Sequence, residues 1–366
     1  METLFDDSTW SIPDDFMTKA HYERVVRGKL DWTSSPGYPY MRRAPTNGAL
    51  FNVEDGIPQQ EQVDFVWDLV SSQLRERVSD PIRLFVKPEP HKIKKLEQGR
   101  YRLISSVSVV DQIIDHMLFA PMNEMMVENF LHIPPKVGWA PVNGGWRLIP
   151  RENWMALDKS SWDWTVQPWL CEMTLELRLR LCRNLRPEWR DLALWRYREL
   201  FCSPEFVTSG GVRLRQKQAG VMKSGCVNTI TDNSIMQVLL HLRVCFELDI
   251  VPGSIYTMGD DTLQQPISDV QAYIDAMSMF SIVKEVTMAN EFAGNRFQGG
   301  RIEPMYKGKH AFTLLHLNPE ILDSLARSYT LLYHRSSYRD LMVELFLLMG
   351  QDIPSRKFRD AIFDGC

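Results

Sequence analysis

The chain has 366 residues, 44% of them hydrophobic, which is enough apolar material for a large core and for more than one domain or subdomain. Its net charge of −4 argues against a uniformly basic nucleic-acid binder. No apolar run approaches the ~18 residues that a membrane-spanning helix needs, and the acidic start METLFDDSTW lacks a signal-peptide core, so we expect a soluble, cytosolic protein.

The first 150 residues are rich in loop-forming residues. The segment TSSPGYPYMRRAPTNGALF (33–51) contains three prolines and two glycines, which predicts an irregular but ordered stretch. After a basic segment, the apolar spacing of VVDQIIDHMLFAPMNEMMVENFL predicts a helix. The next segment, NWMALDKSSWDWT (153–165), begins as a strand that we expect to present Asp158 at its end.

Helices and one hairpin are predicted next. Pro168 near the start of PWLCEMTLELRLRLCRNL predicts a helix N-terminus, and PEWRDLALWRYRELF predicts a second helix. EFVTSGGVRLRQKQAG has the pattern of a hairpin with its turn at 209–211. A long helical pattern then runs from about residue 226 to residue 248.

None of the six cysteines lies in a CxxC or zinc-binding pattern, which favours free thiols; they are Cys171, Cys182, Cys202, Cys226, Cys245 and Cys366.

The last third of the chain alternates strands and helices before it becomes helical. SIYTMGDDTLQQ places the tripeptide 259–261 between two short strands. SDVQAYIDAMSMF is a helical pattern capped by Ser268 or Asp269, and SIVKEVTMA is a further strand. Residues 305–366 are predicted to be mostly helical and to form a compact C-terminal unit.

The basic segment between Arg83 and Arg102 stands out against the acidic remainder. Seven basic residues face only Glu89 and Glu97, so the segment carries +5 and the rest of the chain carries −9. Such an asymmetry suggests a basic patch for phosphate groups. A solvated charged helix face is the simpler interpretation of a charge run taken alone.

The adjacent carboxylates of Asp260 and Asp261 need a compensating charge. Two neighbouring carboxylates repel, and burying them is unfavourable unless a cation lies between them. An ordinary hairpin turn is the alternative, because Gly and Asp are common turn residues. A further strand carboxylate, Asp158, stands 102 residues before Asp260. Two such strands side by side can hold a pair of Mg²⁺ ions, which activate a 3′-hydroxyl and stabilise a leaving pyrophosphate.

Three motifs in order now carry a specific resemblance. They comprise Asp158 with Asp163 five residues later, then Ser224, Gly225, Thr229 and Asn233 in SGCVNTITDN, then Gly259-Asp260-Asp261. In this order they resemble motifs A, B and C of the viral RNA-dependent RNA polymerases. TSSPGYPY, GRYRLISSVSVVDQIIDH and YKGKHAF are most similar to the sobemovirus and polerovirus branch, over roughly residues 30 to 315. WDWT and FAG depart from the more usual GFDWS and FCS, and neither departure touches a metal ligand.

Other segments extend the resemblance. VKPEPHKIKKLEQGRYRLI (within 83–104) resembles motif F, and SSPGYP (within 33–51) resembles motif G at the template entrance. SIVKEV resembles motif D and places Lys284 at that motif's lysine. EFAGNRF with PMYKGKHAF resembles motif E and the approach to the thumb.

The resemblance implies a role for each site residue. The expected metal ligands are Asp158 and Asp260, assisted by Asp261. The expected nucleotide contacts are Lys87, Lys95, Arg100 and Arg102 to the triphosphate, and Asp163, Ser224, Thr229 and Asn233 to the rest of the nucleotide. The expected template contacts are Gly37, Ile104 and Gly225, and the backbone freedom of Gly225 would serve template movement. Lys284 would protonate the leaving pyrophosphate, which requires a lowered pKa. A solvated lysine at a strand edge is the alternative for Lys284, and unspecific phosphate attraction is the alternative for Lys87 and Lys95.

Asp163 and Asn233 indicate which sugar is selected. A carboxylate and an amide can engage a ribose 2′-hydroxyl as acceptor and donor. Reverse transcriptases usually carry a bulky residue where Asp163 stands, which excludes that hydroxyl. The two residues therefore favour an RNA product over DNA.

The implied architecture is an α+β right-hand polymerase with an antiparallel palm sheet. We expect fingers at 1–150 and a hairpin at 205–222, a palm at 151–204 and 223–304, and a thumb at 305–366. The implied activity is template-directed RNA synthesis from NTPs that replicates a viral RNA genome, with Mg²⁺ or a substituting Mn²⁺. A reverse transcriptase or nuclease on a similar palm, and an inactive RNA-binding scaffold, are the alternatives.

The implied partners are a single-stranded RNA template, nascent RNA and NTPs, with a viral protein primer or other replication proteins as further candidates. The expected location is the host cytoplasm, at membrane-associated sites reached through other viral proteins. De novo and protein-primed initiation both stay open.

Overall fold

The structure is a computed structural model that describes residues 1–365. Five of the six cysteines lie in this range and carry free thiols, as predicted, whereas Cys366 lies outside the described residues. Along residues 1–365, no helix is both long and apolar enough to cross a membrane.

Helices and strands alternate until residue 304, and helices follow. The α-helices are α1 (Lys19–Lys29), α2 (Asn47–Leu50), α3 (Gln60–Glu76), α4 (Ile93–Glu97), α5 (Val109–Glu128), α6 (Trp162–Thr165), α7 (Pro168–Arg180), α8 (Pro187–Tyr197), α9 (Thr229–Glu247), α10 (Val270–Ser278), α11 (Lys307–Leu315), α12 (Leu322–Leu332), α13 (Arg339–Leu348) and α14 (Arg356–Asp364). The strands are β1 (Ile82–Val86), β2 (Leu103–Ser106), β3 (Met155–Ser160), β4 (Glu205–Thr208), β5 (Arg213–Arg215), β6 (Ile255–Met258), β7 (Asp261–Gln264), β8 (Ile282–Thr287), β9 (Asn290–Phe292), β10 (Asn295–Gln298) and β11 (Arg301–Pro304).

The central sheet has the strand order β6-β7-β3-β8, and every neighbouring pair is antiparallel. The predicted antiparallel sheet that carries Asp158 beside the 259–261 turn is therefore confirmed. Leu157 on β3 pairs with Thr262 on β7 and with Val286 on β8. β3 thus lies in the middle of the sheet, flanked by the strand of the carboxylate turn and by the strand of Lys284.

A second four-stranded sheet has the order β2-β1-β4-β5. Its outer pairs are antiparallel, whereas β1 and β4 run parallel. The predicted hairpin is confirmed as β4 and β5, and it joins the two strands that frame the basic segment. Residues far apart in the chain therefore form one sheet.

The third sheet, β9, β10 and β11, is antiparallel and leads into the C-terminal helices. Phe292 and Phe297 of this sheet pack with Trp154 in a small core beneath the central sheet. Phe363 of α14 joins the same core, so the last described helix packs against it. A separate cluster with Tyr333 and Phe346 holds α12 and α13 together.

Two long helices, α5 and α9, run through the main core. Ser108 caps α5 by accepting a hydrogen bond from the Asp111 backbone N–H at 3.1 Å. Both helices bury residues all round, which is expected of helices enclosed by other elements. A buried ion pair joins two helices of this core: Arg178 on α7 donates to Asp232 on α9 at 2.6 Å.

Some element bounds differ from the prediction. α9 begins at Thr229 rather than near residue 226, because the preceding residues form a turn closed by a Cys226 N–H···O=C Lys223 hydrogen bond. Asp269, rather than Ser268, caps α10. The segment 33–51 is ordered but contains a 3₁₀ turn and the short helix α2.

Candidate active site

A two-residue turn joins β6 to β7 and carries the adjacent carboxylates to the edge of the sheet. The register pairs Met258 with Asp261, so only Gly259 and Asp260 form the loop. Gly259 has a φ of +63°, a conformation that a residue without Cβ adopts most easily and that the first position of a type II′ hairpin turn requires. Asp260 and Asp261 therefore stand at the end of a rigid hairpin, as predicted.

Helix α9 fixes this turn from behind. The Gly259 backbone N–H donates to Ser234 Oγ at 2.9 Å, and Thr257 Oγ1 donates to the Ser234 carbonyl at 3.0 Å. Gln237 Nε2 reaches the Asp260 carbonyl at 3.5 Å. The position of the two carboxylates is thus tied to the helix that also carries Asn233.

Asp158 lies on β3, beside the strand that carries Asp261. We predicted Asp158 at the strand end, and this prediction is wrong because β3 continues to Ser160 and pairs with β8 from Ala156 to Ser160. The pairing shifts by a residue between Asp158 and Lys159, which is a β-bulge. The Asp158 side chain is 53% exposed, whereas Lys159 is only 5% exposed and points into the core.

The pKa shifts show that the carboxylates share one electrostatic environment. Burial, then Asp260, then Asp158 raise the pKa of Asp261 to about 6. Burial lowers the pKa of Lys159 to about 8, and Asp260, Asp261 and Asp158 oppose that shift. Lys159, which also donates to Thr262 Oγ1 at 3.3 Å, is therefore a buried cation beneath three aspartates.

The aspartates have the donor chemistry of a divalent-cation site. Carboxylate oxygens are the ligands that Mg²⁺ and Mn²⁺ prefer, and the raised pKa of Asp261 reflects burial first and then neighbouring negative charge that a cation would compensate. Within residues 1–365, no three His, Cys, Asp or Glu side chains are close enough together to hold a metal ion as they stand. Asp158 is instead paired with Lys284, and that pair would have to open for Asp158 to bind a metal ion.

Lys284 on β8 forms an ion pair and hydrogen bond with Asp158 across the sheet. This hydrogen bond raises the pKa of Lys284, and burial opposes the rise. Our prediction that Lys284 has the lowered pKa of a general acid is therefore wrong for this arrangement. The prediction failed because the nearest charged partner of Lys284 is a carboxylate on the neighbouring strand.

Asp163 and Asn233 come together as the nucleotide-sugar prediction requires. Asn233 Nδ2 donates to Asp163 Oδ1 at 3.1 Å, which joins the short helix α6 to α9. Burial raises the pKa of Asp163; the hydrogen bond from Asn233 lowers it, Asp260 raises it and Arg102 lowers it. The pair thus lies within electrostatic reach of both the carboxylate turn and the basic segment.

Ser224 and Gly225 contact strand β2. Ser224 Oγ accepts a hydrogen bond from the Ser105 backbone N–H at 3.1 Å, and Gly225 forms a β-bridge with Ser106. A Cβ on Gly225 would lie 2.3 Å from the Ser105 carbonyl oxygen. The close approach of two backbones is therefore one physical reason for a glycine at this position, and its φ is not positive. Backbone freedom for template movement stays a prediction.

Thr229 begins α9 and points inward. Its Oγ1 lies 2.8 Å from the carbonyl oxygens of both Lys223 and Cys226. These contacts close the turn before the helix. A direct nucleotide contact by Thr229 stays a prediction, and the structure gives the side chain an internal role.

The predicted triphosphate contacts lie around the β1–β2 hairpin. Lys87 pairs with Glu89 at 3.2 Å, and Arg102 approaches the same carboxylate at 3.8 Å. Within the described part of the chain, Lys95 and Arg100 have no carboxylate partner within 4.0 Å. Lys87 and Arg102 therefore share Glu89 as a counter-charge, and phosphate binding by this segment stays a prediction.

The predicted template contacts Ile104 and Gly37 lie on strand β2 and next to the residues that follow it. Ile104 on β2 is half-buried opposite Phe85, directly before Ser105. Gly37 has a φ of +68°, and a Cβ there would lie 2.8 Å from the Val107 carbonyl oxygen. The Gly37 loop is thereby packed against the chain that enters α5.

The sequence interpretation missed several residues around the site. Lys159 could have been found from the two-residue period of a strand, which turns the neighbour of Asp158 to the opposite face. Glu89 gave no such signal, because its partners depend on a hairpin fold. Trp162 is buried and contacts Asn233, whereas Trp164 is 58% exposed.

Comparisons with known proteins identify the family of this chain. The family described as viral RNA-dependent RNA polymerase matches residues 19–313. The chain is 31% identical to "Replicase polyprotein P2AB" of southern cowpea mosaic virus over 71% of its length and 28% of that protein. It is 30% identical to "Protein P1-P2" of potato leafroll virus over 80% of its length and 29% of that protein. The predicted likeness to the sobemovirus and polerovirus branch is thus confirmed.

A solved structure agrees on the fold. "Sicinivirus 3Dpol RNA dependent RNA polymerase" superposes with a TM-score of 0.76 at 18% identity, covering all of this chain and 84% of that one. The predicted α+β right-hand polymerase fold is therefore confirmed. The chain spans only 28% and 29% of the two viral proteins it matches in sequence.

Proposed function

Because the chain belongs to the viral RNA-dependent RNA polymerase family, we propose that it extends an RNA 3′ end by template-directed addition of nucleotides. One observation carries the proposal. Three aspartates on adjacent strands share an electrostatic environment beside the Asp163–Asn233 pair, as the pKa shifts of Asp261 and Asp163 indicate. Such a grouping of carboxylates next to a ribose-reading pair suits nucleotidyl transfer to RNA.

The proposed reaction joins the RNA 3′-oxygen to the α-phosphorus of an NTP. A new P–O bond forms, the bond from the α-phosphorus to the bridging oxygen breaks, the hydroxyl gives its proton to solvent, and pyrophosphate leaves with the electron pair. Asp158, Asp260 and Asp261 would hold Mg²⁺, for which Mn²⁺ can substitute. When bound, these ions supply activation of the hydroxyl and neutralisation of charge on the phosphates.

The residues around the carboxylates would position the substrates. Arg102, which influences the pKa of Asp163, would hold the triphosphate near the sugar-reading pair, and Arg100, Lys87 and Lys95 would add phosphate contacts. Ser224 and Thr229 would order the loop beneath the nucleotide. Ile104, Gly37 and Gly225 would shape the template path. Lys284 would donate a proton to pyrophosphate only after it has left Asp158.

We also propose the division into subdomains. The fingers would comprise 1–150 and 205–222, the palm 151–204 and 223–304, and the thumb 305–366. The sheet β2-β1-β4-β5 supports the grouping of the 205–222 hairpin with the basic segment. The run of helices after residue 304 supports a small helical thumb.

The proposed partners are a single-stranded RNA template, nascent RNA and NTPs. A viral protein primer or other replication proteins would assist, and the site of action would be the host cytoplasm at membranes reached through those proteins. The viral replicases that match in sequence support replication in infected host cells.

The test is incorporation of labelled UTP or dTTP on a poly(A) template with Mg²⁺ or Mn²⁺. We expect incorporation of UTP in preference to dTTP, and its loss in Asp260→Ala. Asp191→Ala, on an exposed position of α8, is the matched control and should retain activity. Preference for dTTP would support a reverse transcriptase. RNA binding without turnover under either metal, with and without a primer, would support the inactive scaffold.

A further inference from the structure

Trp162 is a buried tryptophan that contacts the sugar-reading pair directly. It is 2% exposed and opens helix α6, one residue before Asp163. Its indole Nε1–H donates to Asn233 Oδ1 at 2.9 Å, while Asn233 Nδ2 donates to Asp163 Oδ1 at 3.1 Å. Trp162, Asn233 and Asp163 thus form one chain of hydrogen bonds that starts in the core and ends at the site.

The chemistry of the indole group determines how the Asn233 amide is oriented. An indole N–H can only donate, so the amide atom that faces it must be the oxygen. The amide nitrogen is then directed at the carboxylate of Asp163. If the amide turned over, its N–H₂ would face the indole N–H and its oxygen would face the Asp163 carboxylate, so both contacts would become repulsive.

The resulting arrangement leaves one hydrogen-bond donor on Asn233 and one acceptor on Asp163 next to each other and, in the described part of the chain, without partners. Asn233 has a second Nδ2 hydrogen, and Asp163 has the oxygen Oδ2; within residues 1–365 neither has a hydrogen-bond partner. A hydroxyl group can accept from the first and donate to the second. A 2′-deoxy sugar can do neither and would leave both groups desolvated and unpaired.

The ring of Trp162 is itself held in place. Ser161 has a φ of +56°, which turns the chain from β3 into α6 and directs the ring inward. The Lys159 ammonium group lies 5.9 Å from the centre of the ring. The indole is therefore anchored by the same strand that carries Asp158.

We propose that Trp162 is a positioning residue for sugar selection, which fixes the orientation of the Asn233 amide so that Asn233 and Asp163 together accept a ribose and reject a deoxyribose. The proposal rests on the proposed polymerase function. Trp162 contacts no substrate itself and acts through Asn233.

The test compares kcat/KM for UTP with kcat/KM for dTTP on poly(A), in wild type and in Trp162→Phe. The phenyl ring lacks the N–H, so we expect the UTP/dTTP ratio to fall by roughly three- to tenfold, mainly through a lower kcat/KM for UTP. Trp189→Phe is the matched control: Trp189 is also buried and donates its indole N–H, but to the Leu118 carbonyl away from the site. Its ratio should stay at the wild-type value.

A double-mutant cycle separates positioning from general damage. If Trp162 acts through Asn233, then Trp162→Phe should leave the UTP/dTTP ratio unchanged once Asn233→Ala is present. Should Trp162→Phe fail to fold, β-(3-benzothienyl)alanine at position 162 keeps the ring shape and removes only the N–H. The same fall in the ratio is expected for that variant.

The outcomes distinguish the two proposals. Wild-type protein that incorporates no UTP would overturn the polymerase function. If wild type is active but the UTP/dTTP ratio is unchanged in the position-162 variants, the role of Trp162 alone is overturned. The same holds if Trp162→Phe lowers the ratio equally with and without Asn233. A fall in the ratio in Trp189→Phe as large as that in Trp162→Phe would also overturn it.

Discussion

The Ser234 hydroxyl on α9 accepts a hydrogen bond from the Gly259 backbone N–H at 2.9 Å, which ties the carboxylate turn to the helix that carries Asn233. The metal-binding and sugar-reading parts of the proposed site are therefore positioned by one helix. The distance between them depends on this contact and on Thr257, which donates to the Ser234 carbonyl.

Removal of this contact should impair catalysis more than stability. In Ser234→Ala the turn loses its partner on α9, and we expect kcat for UTP incorporation to fall about tenfold, because small displacements of reacting groups are costly in rate. The free energy of unfolding should fall by only about 1 kcal/mol. Ser324→Ala, which removes a hydroxyl on exposed α12, is the control. Unchanged kcat in Ser234→Ala would contradict this coupling.

Lys284 should compete with the metal for Asp158. Because the ammonium group and a divalent ion need the same carboxylate, we expect the Mg²⁺ concentration for half-maximal activity to fall about two- to fivefold in Lys284→Gln. The maximal rate should fall as well if Lys284 later donates a proton. Lys307→Gln, which loses a pair with Glu303, should leave the Mg²⁺ requirement unchanged. A higher Mg²⁺ requirement in Lys284→Gln would be evidence against competition.

The buried ion cluster of Arg196 should be essential for stability. Arg196 is fully buried and donates to Asp111 and Asp115, which lie one turn apart on α5. Arg196→Met leaves two carboxylates buried without a cation, so we expect the free energy of unfolding, measured by urea denaturation, to fall by about 3–5 kcal/mol. Arg24→Met, which breaks an exposed pair with Asp15, should change the free energy of unfolding far less. Similar losses of unfolding free energy in Arg196→Met and Arg24→Met would refute this difference between the buried and the exposed pair.

Asp80 should make stability fall as the pH rises. Burial first, and then the Asp111 carboxylate, raise the pKa of Asp80 to about 6 from an ordinary value of 3.8. The folded state therefore binds a proton more tightly than the unfolded state, and this contribution is present below about pH 4 and lost as the pH passes 6.

The comparison of wild type with Asp80→Asn isolates this effect. The amide of the variant cannot ionise, so the variant should gain up to about 2 kcal/mol of unfolding free energy relative to wild type between about pH 4.5 and pH 7.5. Asp55→Asn, at an exposed position, should show no such pH-dependent difference. A constant difference between wild type and Asp80→Asn at both pH values would argue against the raised pKa.

The tight approach at Gly225 should tolerate no side chain. A Cβ there would lie 2.3 Å from the Ser105 carbonyl oxygen, so Gly225→Ala must separate the motif B loop from β2. We expect a loss of about 1–3 kcal/mol in unfolding free energy and a weaker affinity for poly(A), measured by filter binding. Gly210→Ala, in an open hairpin turn, is the control. Wild-type stability and affinity in Gly225→Ala would contradict the close packing.

Local patterns were sufficient to predict part of the site. The strand–turn–strand around Gly259 and the helix that carries Asn233 are encoded in short segments, and the structure contains both. The pairing of Asp163 with Asn233 follows from motif order through the family resemblance. The family and the right-hand fold were predicted in the same way and are confirmed by the comparisons.

Features that depend on strand pairing could not be predicted. β3 continues past Asp158 because β8, far later in the chain, pairs with it. The same pairing brings Lys284 to Asp158 and reverses the expected direction of its pKa shift. The reason for Gly225 likewise lies in Ser105, a residue much earlier in the chain. Each of these relationships arises only when distant segments share one sheet or interface.

The most direct test of the central claim is template-directed selection among the four nucleotides. Wild-type protein would be given poly(A) and an oligo(U) primer, with UTP, ATP, CTP or GTP labelled one at a time. We predict primer extension with UTP at least about a hundredfold above each other nucleotide, because base pairing with the template selects the substrate. Extension with all four nucleotides at similar rates, or with none under Mg²⁺ and Mn²⁺, would contradict the account.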